Sequence, residues 1–269
     1  MDNTWALLYG FLQGLTEFLP ISSSGHLALV PFFFELKDPG VLFDLMMHVG
    51  TALAISVYFY KDIIRLFKGL KGFLFDKQRE GDGAYAFNFT LATITTVIFI
   101  LLIKDFALEY GRNPKFIAIN LLVFGVLLFI SDKYGKANID LTNKIDIKRS
   151  ILIGFSQMLA IFPGVSRSGI TITSARMSGL SRVNSSRFSF LLSLPIIFAS
   201  VAYKLKSSLI DGTEELSFNV SHMLIGVSVS FVVGLLTIHY FLKLLNRLGL
   251  GIYAIYRALL AVIIFYLLI

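Results

Sequence analysis

Long apolar runs separated by short polar or basic stretches set the pattern of this chain. Runs at 41–60, 85–103, 116–131, 185–203, 221–242 and 251–269 come near the length of about 20 residues that crosses a bilayer as a helix, and predict six spans. Four apolar arms, 4–12, 26–35, 150–162 and 169–180, are too short to cross. They come in pairs around a polar turn, which predicts two re-entrant helical hairpins, each entering and leaving on one side. Non-helical backbone at membrane depth is tolerated where it is buried in protein or lines a cavity, so the two turns are the first places to look for a site. The expected fold is an all-α polytopic membrane protein with six transmembrane helices and two re-entrant hairpins.

The first turn reads Gln13-Gly-Leu-Thr-Glu-Phe-Leu-Pro-Ile-Ser-Ser-Ser-Gly-His26. Gln13 and Glu17 are one helical turn apart, on one face. Pro20 disfavours the helical conformation at Leu19 and should end that helix. Ser22, Ser23, Ser24 and Gly25 then form a loop able to turn backbone N–H groups inward, and His26 is expected to open the next helix. Read blandly, this is a capped helix-turn-helix with a satisfied histidine. Ionisable groups within an apolar span are costly, however, and Glu17 and His26 flank the loop, which favours a functional reading. The pattern returns 144 positions later: Gln157, Leu159, Phe162, Val165, Ser166, Ser168 and Gly169 match Gln13, Leu15, Phe18, Ile21, Ser22, Ser24 and Gly25. In the second copy Ile161 replaces the carboxylate, Arg167 the middle serine and Ile170 the histidine. Two halves follow, 1–135 and 147–269, each a hairpin plus three spans, with a polar, basic link at 132–149. Three spans cross an odd number of times, so the second half starts on the opposite side, and the repeats are inverted, with hairpin tips able to meet.

Composition agrees: 56% of the 269 residues are hydrophobic, 26 are Phe, and the mean hydropathy is +0.77. The absence of cysteine excludes disulfides, thiol chemistry and cysteine-based metal sites. The net charge of +7 reports topology and lipid contact rather than nucleic acid, because no run interleaves basic and aromatic residues. The N-terminus lacks a basic leader, so no cleavable signal is expected. Thirteen loop cations fall on one side, from Lys61 through Arg79, from Lys133 to Arg149, and at Lys243 and Arg247. Six fall on the other: Lys37, Lys104, Arg112, Lys115, Lys204 and Lys206. The richer side is cytoplasmic by the positive-inside rule, which puts both termini and the mouth of the Gln13–His26 hairpin outside. Lys61–Asp82 is expected as a basic loop, and Arg182 and Arg187 as interfacial side chains that snorkel. Asp44 and His48 share one face of the first span.

Arg167 with Ser166, Ser168 and Gly169 has the donors that phosphate recognition needs, and Gly25 and Gly164 add backbone amides. Glu17 beside such a site implies a bridging cation or a proton-transfer role. His26, with an ordinary pKa of about 6.5, can serve as acid, base or nucleophile. Ser22, Ser23 or Ser24 can instead be a nucleophile activated by His26, a pairing that fits the nucleophile–base pattern.

The two motifs, Gln13–His26 and Pro163-Gly-Val-Ser-Arg-Ser-Gly169, resemble the two signatures of the bacterial undecaprenyl-diphosphatase family of the bacitracin-resistance type, and the resemblance runs along essentially the whole chain. It implies removal of the terminal phosphate of undecaprenyl diphosphate, recycling the lipid carrier of cell-wall glycan synthesis and giving bacitracin resistance. It implies Glu17, His26, Ser22, Ser23, Ser24 and Arg167 as catalytic, and a divalent cation, Mg or Ca, on Glu17 and Gln13. Many members have Glu where this chain has Gln13; its carbonyl still binds a cation or water but adds no charge. The implied setting is the bacterial inner membrane, with membrane lipids as partners and a homodimer admitted. A polyprenyl-phosphate flippase is the alternative, since inverted repeats are also transporter architecture. A second membrane phosphatase family is rejected, because Thr173 stands where its second histidine would fall.

Overall fold

The structure, a computed structural model, describes residues 3–34, 40–110, 113–137, 145–211 and 220–268. Every described element is helical. Helices α1 (Asn3–Thr16) and α2 (Ser23–Phe34) form the first hairpin, and α7 (Ile147–Met158), a 3-10 turn (Leu159–Ile161) and α8 (Arg167–Met177) form the second. Between them run α3 (Val41–Tyr58), α4 (Tyr60–Phe75), α5 (Gly81–Tyr110) and α6 (Pro114–Tyr134). After them run α9 (Arg182–Asp211), α10 (Val220–Leu248) and α11 (Gly251–Leu267). Each of the four short apolar arms is a helix near its predicted place. The first ends at Thr16, ahead of Pro20, and α2 opens at Ser23 rather than at His26.

Among the described residues four helices are long and apolar enough to cross a membrane: Gly81–Lys104, Pro114–Tyr134, Arg182–Tyr203 and Val220–Leu248. A fifth arises if α3 and α4 count as one span bent by 79° at Phe59. At 17 residues, α11 is shorter than a full crossing. The protein is thus an all-helical, multi-pass membrane protein. Residues 60–75, expected as part of a basic loop, are helical. Lys61, Arg65, Lys68 and Lys71 recur at helical spacing there, with Gly69 and Gly72 on the buried side. A positively charged, one-sided helix folds against its neighbours where composition alone reads as loop. The loop cations at Lys37, Arg112 and Lys144 lie outside the described residues.

Small residues decide the closest helix contact. On α1, Ala6, Gly10, Gln13 and Gly14 form a buried stripe that lies along α10. A Cβ at Gly14 would stand 2.8 Å from the Val233 side chain and from the carbonyl of Ser230, so any larger residue would push the helices apart. In the same way α7, the helix that leads into the second tip, lies along α5. Phe18, next to Glu17, is fully buried and packs edge-on against Phe190 at 5.2 Å, which anchors the first tip in the main apolar core. Arg182 grips Asp132 through two bonds of 2.6 and 2.9 Å, while the other Asp132 oxygen also caps the amide of Leu250. Arg187 pairs with Asp62 at 3.0 Å. These two arginines, expected as interfacial side chains that snorkel, are ion-paired and join α9 to α6 and to α4.

Candidate active site

The two tips adopt the same local structure. Ser22 and Ser166 both have left-handed backbone, with φ of 76° and 72°, rare and costly for a residue with a side chain. Each uses its hydroxyl to cap the helix that follows: Ser22 Oγ accepts from the amide of Gly25 at 3.3 Å, and Ser166 Oγ accepts from Gly169 at 3.0 Å. The hydroxyls of Ser22 and Ser24 stand 3.5 Å apart and those of Ser166 and Ser168 3.3 Å apart. The tips then bind each other. The amide of Gly164 donates to Ser22 Oγ at 3.0 Å, and Ser168 Oγ donates to the Leu19 carbonyl at 3.1 Å. Gly25 lies so near Gly164 that a Cβ would stand 3.2 Å from its nitrogen. The amides of Gly25, Gly164 and Gly169, expected as anion donors, bond to the Ser22 and Ser166 hydroxyls of the tips.

Side chains gather on one carboxylate. Glu17 is almost wholly buried, and one of its oxygens forms an ion pair with the Arg167 guanidinium. Its other oxygen accepts from Ser23 Oγ at 2.5 Å and from the Gln13 amide at 2.9 Å, and faces His48 Nε2 at 3.4 Å. Arg167 also donates to the Ser189 carbonyl at 3.1 Å, and Ser189 Oγ meets Thr171 Oγ1 at 2.5 Å. Gln13 also reaches Thr51 Oγ1 at 3.4 Å. The ion pair joins the first tip to the second, and a pair this buried is strained severely when one partner is removed, at a cost of about 3–5 kcal/mol. Glu17, Ser23 and Arg167, predicted as site residues, are brought together.

His26 is placed elsewhere. A carbonyl can only accept, so its Nδ1 donates to the Ser22 carbonyl at 2.8 Å. The neutral ring then offers Nε2 to the hydroxyl of Tyr256 at 2.7 Å, and the two rings stack. The imidazole beside Glu17 is that of His48, visible in the sequence as the partner of Asp44 along α3 but not assigned to the site. Arg257 was also missed. It is fully buried in α11 and donates to the carbonyls of Pro20, Asn120, Leu121, Gly164 and Val165, so one guanidinium binds both tips and α6. The only hint in the sequence was an arginine inside an apolar run.

A family described as "Bacitracin resistance protein BacA" matches residues 6–263, nearly the whole chain and both tips. The chain belongs to the BacA family. A protein of Marinobacter nauticus named undecaprenyl-diphosphatase is 42% identical over 267 residues, covering 98% of both chains. Another so named, from Saccharophagus degradans, is 41% identical over 260 residues, covering 97% of this chain and 96% of that one. The cluster around Glu17 thus belongs to a BacA-family chain matched end to end with diphosphatases.

Proposed function

We propose that this protein hydrolyses undecaprenyl diphosphate to undecaprenyl phosphate and inorganic phosphate, recycling the lipid carrier of the cell wall and giving bacitracin resistance. The observation that carries the chemistry is the short bond from Ser23 Oγ to Glu17, with Arg167 on the other oxygen of that carboxylate. Glu17 takes the Ser23 proton as Oγ attacks the terminal phosphorus. The bond from phosphorus to the bridging oxygen breaks, and the prenyl monophosphate leaves. Water then attacks the phosphoserine, releases phosphate and restores Ser23. The Arg167 guanidinium neutralises charge on the transferring group. His26, with its Nδ1–H on the Ser22 carbonyl and its Nε2 accepting from Tyr256, is then not the partner of the serine, and the prenyl monophosphate leaves as an anion without a proton from it. The prenyl chain stays in the bilayer.

A divalent cation fits this donor set. Glu17 supplies a carboxylate, and the fully buried Gln13, whose Nε2 faces Glu17 and whose Oε1 has no hydrogen-bond partner, would supply Oε1 with its amide turned over. Bound there, the ion would neutralise diphosphate charge beside Arg167. The halves 1–135 and 147–269 are read as inverted repeats of one hairpin and three spans, with α3 bent and α11 short. Supporting this are the paired φ values of Ser22 and Ser166, their matching caps, and the packing of each first arm on the opposite half. The distribution of loop cations supports a site mouth and both termini outside. The deciding experiment is phosphate release from undecaprenyl diphosphate by the purified chain in detergent, where no gradient exists. Release that is lost in Ser23→Ala supports the reading. Absence of release from the well-folded native chain sinks it and leaves lipid transport.

A further inference from the structure

His48 is a group that the proposed reaction leaves without a task. Its Nδ1 lies 2.7 Å from the carbonyl oxygen of Asp44, one turn back along α3. That oxygen can only accept, so Nδ1 carries the proton, and the neutral ring must present a lone pair at Nε2. Nε2 faces Glu17 Oε2 at 3.4 Å. Two acceptors pointed at each other repel unless a cation or a proton lies between them. A ring nitrogen held by a backbone carbonyl while the other points at a carboxylate is the arrangement that orients histidines as metal ligands.

Gln13 is the second, independent observation. Its side chain is fully buried, its Nε2 serves Glu17 and Thr51, and its Oε1 has no hydrogen-bond partner. Turning the amide over exchanges the two ends and still leaves one buried end unsatisfied. Turned that way, Oε1 would face the same space as Glu17 Oε2 and His48 Nε2. Among the described residues no three of His, Asp and Glu cluster as a metal site, and it is the amide that completes this set.

We propose that His48 is a third ligand, with Glu17 and Gln13, of a dication site in this chain. The imidazole nitrogen then biases the site toward first-row transition dications over Ca2+, because oxygen-only donor sets suit Ca2+ and imidazole does not. This deepens, and rests on, the cation reading given under Proposed function. Gln13 adds a donor to the site without adding charge, and His48 supplies a further one.

The test is direct binding of Mn2+ to the purified full chain in detergent, with and without methylene diphosphonate, in competition with Ca2+. Electron spin echo spectroscopy reads whether a ring nitrogen coordinates the ion. Expected is one Mn2+ with a 14N signal that persists in His26→Gln and vanishes in His48→Gln. Affinity for Mn2+ should fall at least about tenfold in His48→Gln, while that for Ca2+ changes little. Nitrogen coupling retained in His48→Gln, or an unchanged Mn2+ to Ca2+ preference, overturns the role of His48 and leaves the cation itself in place. No Mn2+ bound in either condition overturns both readings, since the cation would then be absent.

Discussion

Ser22, Ser23 and Ser24 are adjacent in the chain, yet their hydroxyls face different partners. Ser22 Oγ is spent on the amides of Gly25 and Gly164, whereas Ser23 Oγ reaches Glu17. Ser23→Ala should therefore remove at least about a thousandfold of kcat with the lipid still bound, as loss of a nucleophile does. Ser22→Ala should instead lower stability by about 1–3 kcal/mol, because buried donors lose their acceptor. Single-turnover phosphate release beside thermal unfolding of Ser22→Ala, Ser23→Ala and Ser24→Ala separates these outcomes. Equal activity in all three would dismiss a serine nucleophile. Arg167→Lys keeps the charge and loses the planar fork that serves Glu17 and the Ser189 carbonyl together, so kcat/KM should fall at least about tenfold. Near-native turnover in a folded Lys variant would make Arg167 structural. The serines, Glu17 and Arg167 were legible as residue types in a repeated motif. Which serine meets the carboxylate was not, because the left-handed turn at Ser22 aims each hydroxyl differently.

Helices meet at the tips through α11. Arg257 offers one guanidinium to five carbonyls from α6 and both hairpins. Arg257→Gln should leave several of these carbonyls unpaired and lower stability by about 2–4 kcal/mol. Hydrogen exchange should rise in the peptides covering 19–26 and 162–169 before it rises in α9 or α10. A uniform rise across the helices would mean that Arg257 supports the whole bundle rather than the tips. At the α1–α10 contact, Gly14→Val forces a side chain into Val233 and the Ser230 carbonyl. It should move Gln13, beside it on α1, and Glu17, just past the end of that helix, and lower activity together with the yield of folded protein. Normal yield and activity would show that the two helices can part without disturbing Glu17. The alternation of short arms with long runs made the helices on either side of each tip legible. The helix at 60–75 was not, because its charges read as loop until α5 supplies a surface for its apolar side.

At the scale of the molecule, one prediction concerns orientation. A reporter inserted at Glu80, in the exposed turn after α4, should read as cytoplasmic, and one fused to the C-terminus as extracytoplasmic. The reverse pattern would place the mouth of the Glu17 cluster inside the cell. Hydropathy, spacing and the repeated motif, read from the chain alone, determined the all-helical membrane class and the pairing of a carboxylate-bearing tip with a guanidinium-bearing one. Those features are local: each depends on the length of an apolar run or on neighbours within a turn. Tertiary structure decided which imidazole stands at the carboxylate. His26 is nine positions from Glu17 and His48 is thirty-one, yet the fold turns His26 to Tyr256 and brings α3, carrying His48, against Glu17. It also decided that Arg257, at the far end of the chain, closes the two tips. Contacts between residues so far apart are set by how helices pack, and no period or spacing in the sequence encodes them.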